Sequence, residues 1–319
     1  MTEATAANEH PAHECALCLA IRRAAWAIGP VTLVLIVIVL VWYLACIPLN
    51  QAWTIDRAGP DADLSAAEIL DDVWVQERPV LPAPHQVGAE LWATTIGEAP
   101  MRERRGELTG NPRSLVFHAW QTLAPTMLGF LVGAAAGLAL AIGIVHSRAM
   151  DLSVMPWAIA SQMVPILAIA PMIIVVLNAV GISGLLPKAL ISSYLSFFPV
   201  VVGMVKGLRS PAPADMDLMR TYSASAGQVL WKLRLPASLP FLFPSLKIGI
   251  AASLVGAIVA ELPTGARFGL GARLLTGSYY GQTIQIWSAL FMAAICAAAL
   301  VGALGLIERA MQRRMGADR

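Results

Sequence analysis

Six stretches of this chain, at about residues 30 to 48, 117 to 145, 158 to 180, 188 to 206, 241 to 262 and 284 to 306, are apolar and nearly free of charge. Each is close to the roughly 20 residues that a tilted helix needs to cross hydrocarbon. The runs are continuously apolar rather than alternating, and a helix satisfies its own backbone amides, so helices are expected rather than a barrel. With 57% hydrophobic and 13% charged residues, the chain cannot clothe a soluble domain. The expected fold class is an all-α integral membrane protein with six transmembrane helices.

The first run follows Arg22 and Arg23 but is too long for a signal-peptide core, and Tyr43 fits poorly in Tyr43-Leu44-Ala45-Cys46 as a lipoprotein cleavage site. It reads as an uncleaved span. Arg148, Lys206, Arg209, Arg220, Lys232, Arg234, Arg309, Arg313 and Arg314 fall with Arg22 and Arg23 on one side of a six-span arrangement. Lys188, Arg267, Arg273 and the long mixed-charge segment fall on the other, which makes both termini cytoplasmic. The chain then divides into a cytoplasmic tail (1–29), a first transmembrane helix (30–48), an extracytoplasmic segment (49–116), a five-helix core (117–306) and a cytoplasmic tail (307–319). The extracytoplasmic segment carries Trp53, Trp74 and Trp92 and either packs on the membrane or touches a partner. A net charge of +2 gives no reason to expect nucleic acid.

Pro156, Pro165 and Pro171 divide a charge-free stretch too long for one helix, so a short interfacial helix should precede the third span. Gly129, Gly133, Gly137 and Ala141 form a row of small residues on the second span. It suits a contact inside the subunit or, less expected, a dimer seam. Glu261 ends the fifth span and either gates or lines a pathway, with Arg267 as a partner, or reaches water at the helix end. Gln162, Asn178 and Ser253 either line that pathway or join helices. Lys247 is expected to snorkel toward headgroups. His118, Trp120 and Gln121, like Trp42 and Tyr43, are expected as interfacial anchors.

Cys15 and Cys18, with His10 and His13 nearby, have the spacing of half a zinc site but lack a second ligand pair, so no metal site and no disulfide are expected. The histidines are scattered, no constellation for catalysis is present, and no Gly-x-x-x-x-Gly-Lys-Ser/Thr phosphate loop occurs.

Between the fourth and fifth spans lies a polar stretch suited to docking. Pro211 and Pro213 can start a short helix, Asp215 and Asp217 favour its N-terminal end, and Met216, Met219 and Tyr222 offer apolar contacts. Residues 217–236 resemble the cytoplasmic loop of binding-protein-dependent ABC transporter permeases, whose pattern is Glu-Ala-Ala, three residues, Gly, nine residues, then Ile-x-Leu-Pro. Here Asp217 stands for the Glu, Leu218 and Met219 for the alanines and Ser223 for the glycine, while Leu233-Arg234-Leu235-Pro236 keeps the spacing. Glycine reaches positive φ without strain and serine does not, so the turn is expected to shift to Gly227. Leu81-Pro82-Ala83-Pro84-His85-Gln86-Val87, Ala260-Glu261 and Gly269-Leu270-Gly271 are similar to elements of the nitrate, sulfonate and taurine branch.

The resemblance implies the type I, MetI-like permease fold, with an ATPase-coupling loop at 207–240. It also implies two ATPase subunits carrying ATP and magnesium, a periplasmic or lipid-anchored substrate-binding protein, and a second permease copy in the inner membrane. No cofactor is implied for this chain. The solute would be a sulfonate, nitrate or a pyrimidine-like heterocycle. A secondary transporter or channel without an ATPase is the alternative, and a scaffold that only docks a cytoplasmic partner is a third reading.

Overall fold

A computed structural model of the chain describes residues 16–58, 65–104 and 107–314. It divides into two compact units, Met1–His85 and Gln86–Arg319.

The first unit is built on α1 (Ala16–Ala58), which continues ten residues past the apolar run. From Val31 to Val41 its large side chains are exposed, as a lipid-facing helix requires. Beyond them, Asn50 is fully buried and brackets the following segment. Its amide donates to the carbonyls of Val73 (3.2 Å) and Leu81 (2.9 Å), and its Oδ1 accepts from the Leu81 amide (3.0 Å). A short α2 (Ala66–Val73), started by a capping box between Ser65 and Glu68, adds Asp72, which accepts from the Thr54 hydroxyl at 2.8 Å. Trp42 donates to the Pro82 carbonyl at 3.0 Å, and the Tyr43 hydroxyl meets His85 Nδ1 at 3.1 Å. These two aromatics pin the Leu-Pro-Ala-Pro segment onto α1, Trp42 through a backbone carbonyl that lacks a ladder partner and Tyr43 through the His85 ring.

The second unit begins within α3 (Pro84–Trp92), at Gln86, and continues with a π turn at Ala93–Gly97 and a hairpin of β1 (Met101–Arg104) and β2 (Glu107–Gly110), in which Met101 pairs with Gly110. Then follow α4 (Leu115–His146), α5 (Arg148–Ser161), α6 (Ile166–Ala179), α7 (Leu185–Leu208), α8 (Pro213–Thr221), α9 (Ala226–Val229), a π turn at Leu230–Arg234, α10 (Leu235–Glu261), α11 (Leu270–Tyr279) and α12 (Thr283–Arg314). Five helices among the described residues are long and apolar enough to cross a bilayer, and six if the bent pair of α5 and α6 counts as one span.

That pair departs from the expected third span at 158–180. The bend between α5 and α6 is 98°, and α6 has only 14 residues, about 21 Å against roughly 30 Å of hydrocarbon. Pro156 and Pro171 sit inside their helices, whereas Pro165 is the N-cap of α6 and ends the continuity by lacking an amide. The Tyr194 hydroxyl of α7 donates to the Ser161 carbonyl and satisfies a group that the break frees.

α7 runs between α4 and α10 because all three expose small residues at the crossings. A Cβ at Gly133 would lie 2.2 Å from Ser196 Oγ and 2.7 Å from the Ser193 carbonyl, and one at Gly129 would lie 2.5 Å from the Ala189 carbonyl. The row of small residues on α4 is thus spent inside the subunit. On the other side, a Cβ at Gly256 would lie 2.9 Å from Ser192 Cα. In lipid the driving force for such contacts is dispersion between closely approached backbones, which the missing Cβ atoms permit. Two apolar clusters cap the seam: Ala141, Ile144, Val200, Val201, Met204, Val205 and Leu208 at one end, and Leu115, Ala119, Leu254, Leu270, Ala289 and Met292 at the other.

Candidate functional site

The segment joining α7 to α10 is a folded device. Pro213 opens α8 at a position where its missing amide costs nothing, and Asp215 sits in the first turn near the positive end of the helix. Asp217 lies further along and pairs with Arg220 at 3.0 Å, an exposed bridge worth at most about 1 kcal/mol. The helix ends in a turn at Ser223, whose φ is +51°. The Ser223 amide donates to the Arg220 carbonyl (2.8 Å) and the Ala224 amide to that of Met219 (3.0 Å). Two residues later Ser225 and Gln228 form a capping box that starts α9.

The expected shift of the turn to Gly227 is therefore overturned. Gly227 is helical, with no neighbour that a Cβ would meet, and the cap at Ser225 leaves only residues 223 and 224 to reverse the chain. Serine is held at positive φ by its surroundings and bears the strain that glycine would not. Ser223→Gly should raise thermal stability by the equivalent of about 0.5–1 kcal/mol, measured as a shift in Tm of the purified protein. A loss of stability would show that the turn is not held as described.

Beyond the turn the chain is already helical from Ala226 through Glu261, so Leu233, Leu235 and Pro236 belong to the first turns of the long helix rather than to a loop. Leu235 packs on the apolar cluster around Met204 and Leu208. Leu218, Tyr222 and Trp231 remain 54%, 76% and 72% exposed, whereas Met216 and Met219 are half-buried. Leu218 and Tyr222 lie one helical turn apart and make one face. Arg209 pairs with Asp151 at 2.8 Å and ties the start of the segment to the first turn of α5.

At the other end of α10, Glu261 is completely buried. Its carboxylate accepts from the Thr122 hydroxyl (2.9 and 3.1 Å) and the Gly271 amide (2.7 Å), and Lys188 Nζ is 4.0 Å away. Gly269, at φ +133°, and Gly271 let the chain wrap this carboxylate, since a Cβ at Gly269 would lie 2.3 Å from its carbon. His118 braces the wrap, with Nδ1 within 3.0 Å of the Gly269 amide and Nε2 3.0 Å from the Pro112 carbonyl. Arg273 donates to the same carbonyl at 2.8 Å. Burial lowers its guanidinium from the ordinary value and Glu90 opposes that shift.

Several sequence expectations change here. The cation facing Glu261 is Lys188, not Arg267, and the carboxylate does not reach water. His118 is a buried brace rather than an interfacial anchor, while Trp120 is exposed as such an anchor would be. Lys247 does not snorkel freely, because Glu308 of α12 holds it at 2.5 Å. Ser253 is buried and donates to the Thr126 carbonyl at 2.8 Å, so it joins α10 to α4. Asn178 is exposed and lines a recess of about 300 Å³ beside Lys188 and Arg267, while Gln162 lines a separate one of about 280 Å³ at the α5–α6 bend. Thr122 and Lys188 were missed. The signal was present for Lys188, a cation at the mouth of an apolar run, but Thr122 has none that sequence reveals. Cys15, His10 and His13 lie outside the described residues, as does the side chain of Cys18.

Residues 129–317, more than half of the chain, match the family described as the binding-protein-dependent transport system inner membrane component. The chain belongs to this family. The matched region of this permease family contains the Ser223 turn and, of the clasp, Lys188, Glu261, Gly269 and Gly271, while Thr122 and His118 precede it. A probable ABC transporter permease protein of Haemophilus influenzae is 31% identical over 188 residues, 59% of this chain and 75% of that protein. The riboflavin transport system permease protein RibX of Chloroflexus aurantiacus is 31% identical over 196 residues, covering 61% and 71%. The putative aliphatic sulfonates transport permease protein SsuC of Bacillus subtilis is 26% identical over 204 residues, covering 64% and 70%.

Proposed function

We propose that the chain is the membrane-spanning permease subunit of an importer that moves a small solute across the inner membrane, driven by ATP hydrolysis on separate subunits. It would work as a pair of copies with both termini in the cytoplasm, fed by a periplasmic or lipid-anchored substrate-binding protein, with ATP and magnesium held by the ATPase dimer. The relatives' names point to sulfonates, riboflavin and pyrimidine-type compounds as the range of solutes.

The observation that carries this reading is the apolar pair Leu218 and Tyr222, exposed on α8, a helix that Pro213 opens and the Ser223 turn closes and that has no fully buried residue among those described. A short helix presenting anchors one turn apart is how a helix seats in a partner's groove. Across the Ser223 turn, the helical stretch from Ala226 to Glu261 runs from this segment to the Glu261 end.

Co-purification from native membranes in mild detergent tests it. A phosphate-loop ATPase is expected with the wild type and at least about tenfold less with Leu218→Asp/Tyr222→Asp, because buried apolar anchors dominate such interfaces. Tm should stay near that of the wild type, since both side chains are exposed. If no ATPase accompanies the wild type, the importer reading fails and a carrier without an ATPase takes its place.

A further inference from the structure

The recess of about 300 Å³ beside the Glu261 clasp has a consistent chemistry. Gln121, Asn178, Ser183, Lys188, Thr264 and Arg267 line it, and none of the described residues that form its wall is a carboxylate. Lys188 is 12% exposed, and its charged partner among the described residues, Glu261, stands at 4.0 Å, beyond hydrogen-bond reach. Its ammonium donors are therefore unclaimed in a partly desolvated wall, a costly state for a cation without an acceptor. Arg267 is exposed and has no ion pair among the described residues.

The backbone adds to the same sign. Gly184, in the lining, is the N-cap of α7 and contributes no side-chain acceptor to the first-turn amides of that 24-residue helix. Two cations, two carboxamides, the Ser183 hydroxyl and a helix N-terminus converge on one small volume, and a compact oxyanion would satisfy them together, while the Thr264 hydroxyl is committed to the Glu261 carbonyl at 3.0 Å.

We infer that this recess binds a small, singly charged oxyanion group such as a sulfonate, nitrate or carboxylate. Lys188 and Arg267 are its charge partners, and Asn178 and Gln121 its amide donors. Glu261 acts behind the wall, holding Lys188 at the recess without blocking it. The solute carried is then anionic rather than an uncharged heterocycle. That last step rests on the importer reading, whereas the binding itself does not.

Methanesulfonate and its neutral isostere dimethyl sulfone make a discriminating pair of probes. Binding of each to the purified full chain in phosphatidylcholine nanodiscs is followed by ligand-observed NMR, with no ATPase present, so that failure here is separable from failure of the co-purification test. Saturable binding is expected for methanesulfonate and none for dimethyl sulfone. Arg267→Gln, whose exposed side chain supports no packing, should weaken methanesulfonate at least about tenfold, and Arg220→Gln on α8 should not change it.

Lys188→Gln strands Glu261, so Lys188→Gln/Glu261→Gln, which removes both charges, is measured beside it, and both should lose binding. Phosphatidylglycerol in the nanodisc separates two sources of the same chemistry: displacement of methanesulfonate assigns the recess to a lipid headgroup, and no displacement assigns it to a soluble anion. Equal binding of the two probes, unchanged affinity in Arg267→Gln, or no binding to the wild type overturns the inference.

Discussion

Glu261→Ala should destabilise the protein by about 3–5 kcal/mol, the usual cost of removing one member of a buried charged pair. The carboxylate is fully buried and accepts from Thr122 and Gly271, and its loss leaves the Gly271 amide without an acceptor and Lys188 without a counter-charge. The chain from Gly269 to Gly271 is shaped around that group so closely that alanine leaves a void as well. Glu261→Gln keeps the shape and should cost less, about 1–3 kcal/mol, because its amide can still accept from one donor. Unfolding by SDS titration in bicelles measures both. Amide exchange adds a local readout: in Glu261→Ala, α11 should lose protection before the α4–α7 seam does. If Glu261→Ala stays within about 1 kcal/mol of wild type, the clasp is not a structural element and Glu261 must be water-linked.

Such a clasp illustrates what the sequence could and could not disclose. The spans were legible because lipid, as a solvent, tolerates no interruption of apolarity and no unpaired amide, so each helix announces itself locally. The row Gly129, Gly133 and Gly137 was legible as a close-approach face for the same reason, although its partner α7 was not. The Glu261 site was half legible: an acid at the end of an apolar run signals a cost, but its satisfaction by Thr122 of α4 and Lys188 of α7 depends on how three helices cross. Arg267, near in sequence, was the wrong choice because Pro263 and Gly265 turn the chain, and its guanidinium lines the recess instead.

The prolines and the turn at Ser223 show a different limit. Pro156, Pro165 and Pro171 are chemically alike, yet only Pro165 stands at the break, as the N-cap of α6, where neighbours such as Tyr194 donate to the backbone carbonyls that the break frees. At the turn, the local rule that positive φ wants glycine pointed to Gly227, but the two flanking helices fix the number of residues between them. The capping box at Ser225 and the end of α8 at Thr221 outweigh the strain at Ser223, a strain of order 1 kcal/mol. The surface that this arrangement exposes, Leu218 and Tyr222, follows from the register of α8 and not from hydrophobicity alone.

Gly133→Leu should abolish accumulation of folded protein in the membrane, and Gly133→Ala should already cost about 1–3 kcal/mol, the usual price of overpacking a filled interface. The first added carbon would lie 2.2 Å from Ser196 Oγ and 2.7 Å from the Ser193 carbonyl, and the second of these is backbone that cannot rotate away. α7 packs on α4 and α10 at once, so displacing it from Gly133 also opens the contact at Gly256. Gly302 of α12 is the control: a Cβ there meets nothing within 4 Å, and Gly302→Ala should be neutral or stabilising by up to about 1 kcal/mol through helix propensity. Ser196→Ala removes the nearer clash but leaves the carbonyl, so combined with Gly133→Ala it should recover part of the loss. That non-additivity is what adjacent residues show in a double-mutant cycle. If Gly133→Ala and Gly302→Ala are equally tolerated in the same unfolding titration, α4 and α7 do not meet along this row, and the helix order around α7 is wrong.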